Sequence, residues 1–428
     1  MTRPLRIAML SHSTNPRGGV VHAMQLSEAL TALSHDVVLH APDATGAGFF
    51  RATACQTVCI PVAQPANTET TAPSPYPLPE GRGDVEQAAD PLSPSGRRCR
   101  QADEGAANSM LSDMTVMVEQ RIADYLDHFD NPANRDFDLY HAHDGISGSA
   151  LATLKERGLI AGFARTVHHI DQFSDARLMA LQDRSIDNAD LFFTVSALWR
   201  DRLKRERGIS STIVSNGVDT SRFSPSADGS ALRRKLGLPA GPVFLSVGGI
   251  EARKNTLSML EAFRQVRAIR PDAQFVIAGG ASLLDHRGYQ GEFRAALAAL
   301  GDHMGAVHIL GTVADEDMPA LYRLADALVF ASVKEGFGLV VLEAMASGIP
   351  VVVSSIAPFT EYLGSGDAIW CDPHNPASIA EAMAISLMPP VRQRLVPRGL
   401  VIAAGHGWRR TAAAHLDAYE TLREPAHA

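Results

Sequence analysis

Residues 334–355 read KEGFGLVVLEAMASGIPVVVSS. One acid, Glu335, stands directly before a Gly-Phe-Gly turn, and a second, Glu343, sits inside the apolar run that follows. Upstream, Ala327–Phe330 has the short apolar profile of a buried strand, and Pro350–Ser354 repeats it downstream. Between them, Gly338 to Ser347 reads as a helix closed by Gly348 as its C-terminal glycine. Strand, loop, helix and strand in that order make one unit of a parallel sheet. Amides at the start of such a helix have no partners within it, and with the positive end of the helix dipole they can bind a phosphate. Gly336 and Gly338 let a ligand approach the backbone closely. The two acids are then roughly 10 Å apart along the axis, at about 1.5 Å per residue. They are too far apart to share a proton, and suit hydroxyls at two ends of an elongated ligand, for example a sugar and a ribose joined by a diphosphate. A surface helix with two solvated acids explains Glu335, but explains poorly a Glu343 embedded in LVVLEAMA.

The same alternation extends outward in both directions. Strands are predicted at Ile7–Leu10, Asp36–His40, Thr57–Ile60, Phe137–His141, Ala164–His168, Leu191–Val195 and Thr212–Val214. A second series begins at Val243–Val247 and continues through Gln274–Ala278, Val307–Leu310, Ala327–Phe330, Pro350–Ser354 and Ala368–Cys371. Helical spacing marks Val20–Leu33 and Val118–Phe129 between strands. The pattern predicts α/β architecture with two doubly wound Rossmann-like domains. They are expected over 1–222 and 223–404, with the break in the Pro- and Gly-bearing stretch Arg222–Pro242. Residues 61–108 hold eight of the 25 prolines and no sustained periodicity, and are predicted to be a disordered or poorly packed insertion, with a functional lid as the rival reading. Gly407–Leu422 reads as a last amphipathic helix within a terminal segment over 405–428.

Composition narrows the function. A chain of 428 residues exceeds the size at which one core usually splits. The formal charge of -8 argues against sequence-independent nucleic-acid binding, but leaves open a peripheral membrane contact through Arg392, Arg394, Arg398, Arg409 and Arg410. Cys55, Cys59, Cys99 and Cys371 lack the spacing of a zinc site. The start, MTRPLRIAML, lacks the apolar stretch of a signal peptide, and no segment has the length of a membrane span. A cytoplasmic location is the expectation. No G-x-G-x-x-G follows a strand and no G-x-x-x-x-G-K-[ST] occurs, which disfavours a dinucleotide redox enzyme or a P-loop nucleotidase.

Glu335 and Glu343, in EGFGLVVLEAMASGIPVV, resemble the E-x7-E signature of retaining glycosyltransferases of the GT-B fold, family 4 and its relatives. The resemblance covers most of the chain outside the Pro-rich segment. It implies a fold of two Rossmann-like domains facing a central cleft, with the last helix crossing back to the first domain. It also implies that the second domain binds a nucleotide-diphosphate sugar, Glu335 contacting the donor sugar and Glu343 the ribose. Phe337, Gly338 and Leu339 would hold sugar and diphosphate through their backbones. No metal and no other cofactor is implied.

Other motifs extend this reading. SVGGIEARKN, Ser246–Asn255, follows the first strand of the second series. The family's loop carries Arg and Lys for the diphosphate. Lys254 matches the Lys, the Arg position is Gly249, and the neighbouring Arg253 is the expected substitute. Gly18 and Gly19 open the first helix as a second phosphate or sugar contact, although a plain Gly-Gly turn reads as well. In TVHHIDQF, His168 falls on the family's T-x-H pattern beside the reacting sugar, with His169 its competitor by composition. His143 and Asp144, in HAHDGISGSAL, are candidates for the acceptor side, and Asn216, Gly217 and Asp219 are expected to be structural. Asp136 and Asp138 form a D-x-D that precedes a strand and reads as a turn. The catalytic set is therefore His168, Glu335 and Lys254, for transfer of a sugar to an unidentified saccharide, lipid-linked or small-molecule acceptor. A nucleotide-sugar epimerase of the same fold and a non-catalytic binding homologue are the alternatives.

Overall fold

The structure, a computed structural model, describes residues 3–62, 99–280 and 286–423, with backbone alone for 99–112 and 423. The first part of the chain runs β1 (Arg6–Leu10), α1 (Gly18–Ala32), β2 (Asp36–Asp43), β3 (Gln56–Pro61), α2 (Cys99–Asp130), β4 (Leu139–Ala142) and α3 (Gly145–Glu156). It continues through β5 (Ala164–Val167), α4 (Ala176–Asp187), β6 (Leu191–Thr194), α5 (Ala197–Arg207) and β7 (Thr212–Ile213). These strands form one sheet in the order β3-β2-β1-β4-β5-β6-β7, every pair parallel. Leu26 and Leu30 of α1 pack against Ile7, Met9 and Leu39 on one face, while Tyr125 and Phe129 of α2 cover Ala8 and Leu10 on the other.

The second part runs α6 (Ser230–Lys235), β8 (Val243–Val247), α7 (Thr256–Ile269), β9 (Gln274–Ala278), α8 (Arg287–Ala298), β10 (Val307–Gly311) and α9 (Met318–Leu324). Then come β11 (Ala327–Phe330), α10 (Leu339–Ala346), β12 (Val351–Ser354), α11 (Phe359–Tyr362), β13 (Ile369–Cys371) and α12 (Pro376–Ser386). The second sheet has the order β10-β9-β8-β11-β12-β13 and is again parallel throughout. Its strands are near-continuous apolar runs because both faces are covered, as all-parallel sheets require.

Two helices finish the chain. In α13 (Pro389–Gly405), Gly399 and Ala403 are buried, and Gly399 lies against Met345 of α10. In α14 (Trp408–Arg423), Ala412 and Tyr419 join the core of the first sheet with Leu5, Ile7 and Met9. The chain thus crosses between sheets twice, and the crossings are bound together: Val218 N–H donates to the His406 carbonyl at 2.7 Å, and Gly217 lies against Trp408. Asp219 accepts from the amides of Ser221 and Arg222 in a turn.

Two expectations change. Residues 99–108, assigned from the sequence to the insertion, lie in α2, which continues without a break into its predicted amphipathic part. Helical backbone needs no apolar face when a packed segment already supplies the nucleus to propagate from. Pro61, also assigned to the insertion, ends β3, and 63–98 lie outside the described residues. The strand predicted from Phe137 starts at Leu139, because the Asp138 carboxylate turns back to accept from Arg6 N–H at 2.8 Å. Asp136 pairs with Arg6 as well, so the D-x-D ties the N-terminal edge of the sheet, away from the strand ends that carry ligands.

Candidate active site

In each sheet the strand order reverses direction once, between β1 and β4 in the first and between β8 and β11 in the second. Loops leaving such a point diverge and open a crevice at the strands' C-terminal ends. The loop after β1 leads into Gly18 and Gly19 at the start of α1, that after β4 carries His143 and Asp144, and those after β8 and β11 carry Arg253, Lys254 and Glu335. All of them line one cleft of about 780 Å³, as do His168, Phe337, Gly338, Leu339 and Glu343. That volume suits a ligand of drug size or larger.

The second-sheet wall is built around Glu335. Its Oε1 accepts from Lys254 Nζ at 2.6 Å and from Arg253 Nη1 at 2.9 Å. Burial alone would raise the Glu335 pKa, but the two cations outweigh it and hold the carboxyl below its usual range. Burial pulls the Lys254 ammonium down, with Glu335 opposing. The ammonium also lies over the Phe330 ring, 4.5 Å from its centroid. Gly338 precedes α10 with φ of 93° and ψ of 58°, and a Cβ there would fall 2.6 Å from Phe359 Cε1. Glycine is therefore the residue that lets the loop turn into the helix. Leu339 and Val340 line the cleft, and as the first residues of α10 their amides have no intrahelical acceptor. The far end closes as the sequence implies: Gly348 N–H donates to Met345 O and Ile349 N–H to Ala344 O, a Schellman arrangement.

Glu343 is half-buried, and Tyr322 donates to its Oε2 at 2.6 Å. Burial raises its pKa, with the Tyr322 hydroxyl opposing. Phe337, which lines the cleft, stacks its ring on Tyr362, with centroids 4.7 Å apart. Gly249 has φ of 77°, and a Cβ would come within 2.7 Å of the Gly280 carbonyl. The absence of Arg at this position is thus built into a backbone shaped for glycine.

On the first-sheet wall, His168 is half-buried and its neighbour His169 is exposed and paired with Asp171 at 3.1 Å. Gly19 lies beside the His168 ring, 3.6 Å from Cδ2 to a Cβ placed there. His143 and Asp144, expected on the acceptor side, both line the cleft and both have partners within the protein. His143 is only 2 % exposed, and both its ring nitrogens have partners. Asp144 Oδ1 accepts from Ser147 N–H at 2.8 Å, capping α3, while Oδ2 stands 3.6 Å from His12 Nδ1. A strand-end H-D marks a helix cap as readily as a binding residue.

Contacts cross the cleft directly. Trp199 Nε1 donates to the Glu335 carbonyl at 3.2 Å, and Lys334 Nζ to the Ile170 carbonyl at 3.1 Å. Glu361 accepts from the amides of Ala197 and Leu198 at 2.6 and 2.8 Å, serving as the cap that Ser196 does not provide for α5. Arg222 pairs with Asp315 at 2.7 Å. Sequence reasoning missed Tyr322, Trp199, Glu361 and His22, because each gains its role from a partner far along the chain. Of the basic residues set aside for a membrane, Arg392 bonds the Asp326 carbonyl and Arg398 the Asp367 carboxylate, while Arg394, Arg409 and Arg410 are exposed.

Residues 229–398 match the family described as Glycosyl transferases group 1, and residues 113–222 match Glycosyltransferase Family 4. A D-inositol 3-phosphate glycosyltransferase of Thermobispora bispora is 30% identical over 316 residues, covering 68% of this chain and 72% of that protein. The chain belongs to the group 1 glycosyl transferases. An O-antigen chain mannosyltransferase B of Escherichia coli is 30% identical to this glycosyltransferase over 245 residues, 56% of this chain. The chain spans 62% of that mannosyltransferase's length. Among solved structures, Anabaena HepE in complex with UDP and glucose aligns over 98% of this chain with a TM-score of 0.68 at 17% identity. WaaG, a glycosyltransferase involved in lipopolysaccharide biosynthesis, aligns over 96% with a TM-score of 0.64 at 15% identity. At these identities the likeness establishes the GT-B fold. No helix among the described residues is long and apolar enough to cross a membrane.

Proposed function

We propose that this glycosyltransferase moves a sugar from a nucleotide-diphosphate sugar to a hydroxyl acceptor with retention of anomeric configuration and without a metal. The observation that carries the reading is the shared oxygen of Glu335, held by Lys254 and Arg253 at the mouth of α10. Two cations beside unpaired helix amides are placed to take up the negative charge that grows on a departing diphosphate. With the cations turned to phosphate, the ionised Glu335 is free to accept from a donor-sugar hydroxyl. Glu343, one side of its carboxyl held by Tyr322, takes the ribose hydroxyls. His168 faces the sugar from the opposite wall. Closure of the walls on each other, a reading that the contacts of Trp199 and Lys334 across the cleft support, excludes water from the sugar.

The test is a panel of UDP-, GDP- and ADP-sugars with saccharide and polyol acceptors, the product anomer being read by NMR. The proposal expects the product to keep the donor's anomeric configuration, in the presence of EDTA as in its absence. An inverted product overturns retention, and loss of turnover in EDTA overturns metal independence.

A further inference from the structure

His143 Nε2 lies 2.8 Å from the sulfur of Met9, and His143 Nδ1 lies 3.3 Å from His168 Nε2. A thioether accepts a hydrogen bond weakly and donates none. A bare His143 Nε2 would set its lone pair against those of the sulfur, so that nitrogen carries the proton. In a neutral imidazole the other nitrogen then has none. His143 Nδ1 is therefore an acceptor, and the proton between the two rings belongs to His168 Nε2. This fixes His168 as the Nε2–H tautomer with a bare Nδ1. Burial lowers the pKa of both rings well below the usual value, which keeps them neutral. His168 Nδ1 has no hydrogen-bond partner among the described residues, and the ring lines the cleft.

We propose that Met9 and His143 are positioning residues that set the tautomer of His168, so that His168 presents a lone pair to the cleft and reads a sugar hydroxyl, not a phosphate oxygen. An imidazole with Nδ1–H would donate to an anion. One with a bare Nδ1 repels an anion and accepts from an O–H. The relay thus assigns the diphosphate to the opposite wall, at Lys254 and Arg253, and reserves the first-sheet wall at this point for hydroxyls. His22, edge-on to His168 at 4.8 Å between centroids, is itself bonded to Asn216 at 2.8 Å and has no share in the proton.

The inference rests on the transferase reading for its purpose, but its test needs no substrate. The unliganded protein is labelled with 15N-histidine and its rings are read by long-range proton–nitrogen correlation, His168 being assigned by the signals lost in His168→Asn. The expected result is a protonated Nε2 and a bare Nδ1 on His168. His143→Leu is expected to lose this bias and show Nδ1–H. His143→Asn, whose Oδ1 replaces Nδ1 as acceptor, is expected to keep it. If His143→Leu does not fold, Met9→Leu serves, since it removes the sulfur that pins the His143 proton. A His168 Nδ1–H in the wild type, or a tautomer unmoved by both apolar variants, overturns the relay. Absence of glycosyl transfer with the tautomer as described would overturn the transferase reading and leave the relay standing.

Discussion

Lys254 Nζ and Glu335 Oε1 meet at 2.6 Å, and Arg253 shares the same oxygen. This carboxylate is shared by two cations, Arg253 also reaching Glu251 at 3.4 Å, and a diphosphate would take over its place between them. Glu335→Gln leaves Lys254 without its partner carboxylate and Arg253 with Glu251 alone, at 3.4 Å. Breaking a buried pair from one side costs about 3 kcal/mol, less where a partner is solvated, as Arg253 partly is. The expected outcome is a lower unfolding midpoint at neutral pH that added nucleoside diphosphate restores more than it raises the wild type. Equal ligand shifts in both proteins would contradict it.

Because the folded-state pKa of Glu335 is lowered, its contribution is present above the unfolded carboxyl value and is lost as pH falls through the lowered one. Glu343 has the opposite sign. Its folded-state pKa is raised, so its contribution is full below the unfolded value and is lost as pH rises through the raised one. Glu343→Gln copies the protonated form and keeps an acceptor for Tyr322. It is expected to be more stable than the wild type near about pH 8, with the gain vanishing toward about pH 4, while nucleotide binding weakens. A pH-independent difference in urea unfolding would count against the assignment.

The sequence carried the sheets well. Val243–Val247, Gln274–Ala278 and Ala327–Phe330 have the bounds predicted for them, since a strand buried on both faces stands out as a short apolar stretch. The α10 loop was legible for the same reason, through its glycines. What was not legible depends on long-range pairing. Glu361 looks like an ordinary surface acid until α5 is placed beside it, and Tyr322 like a core aromatic until Glu343 reaches its hydroxyl. The motif H-x-H-D likewise says nothing of the sulfur of Met9 beside His143.

Gly338 offers a local test. Alanine there must hold φ near 93° and displace the Phe359 ring, which together should cost about 2–3 kcal/mol. Gly288, near the start of α8, has open space around it and is the control. Its replacement by alanine should be neutral or stabilise by about 0.5–1 kcal/mol. Chemical denaturation of both variants checks the contrast, and similar losses at the two positions would refute it.

Glu361 joins the two sheets by capping α5. Glu361→Ala should remove about 1 kcal/mol of capping and speed hydrogen exchange at the Ala197 and Leu198 amides, with those of α3 unchanged. Unaltered exchange at α5 would show that the cap does not hold the helix.

Nucleotide binding tests the central claim most directly. Titration calorimetry with UDP, GDP and ADP is predicted to show tight binding of one nucleotide, lost in Lys254→Ala while the fold persists by circular dichroism. Binding that survives Lys254→Ala undiminished, or no binding of any of the three, would contradict a diphosphate site at the mouth of α10.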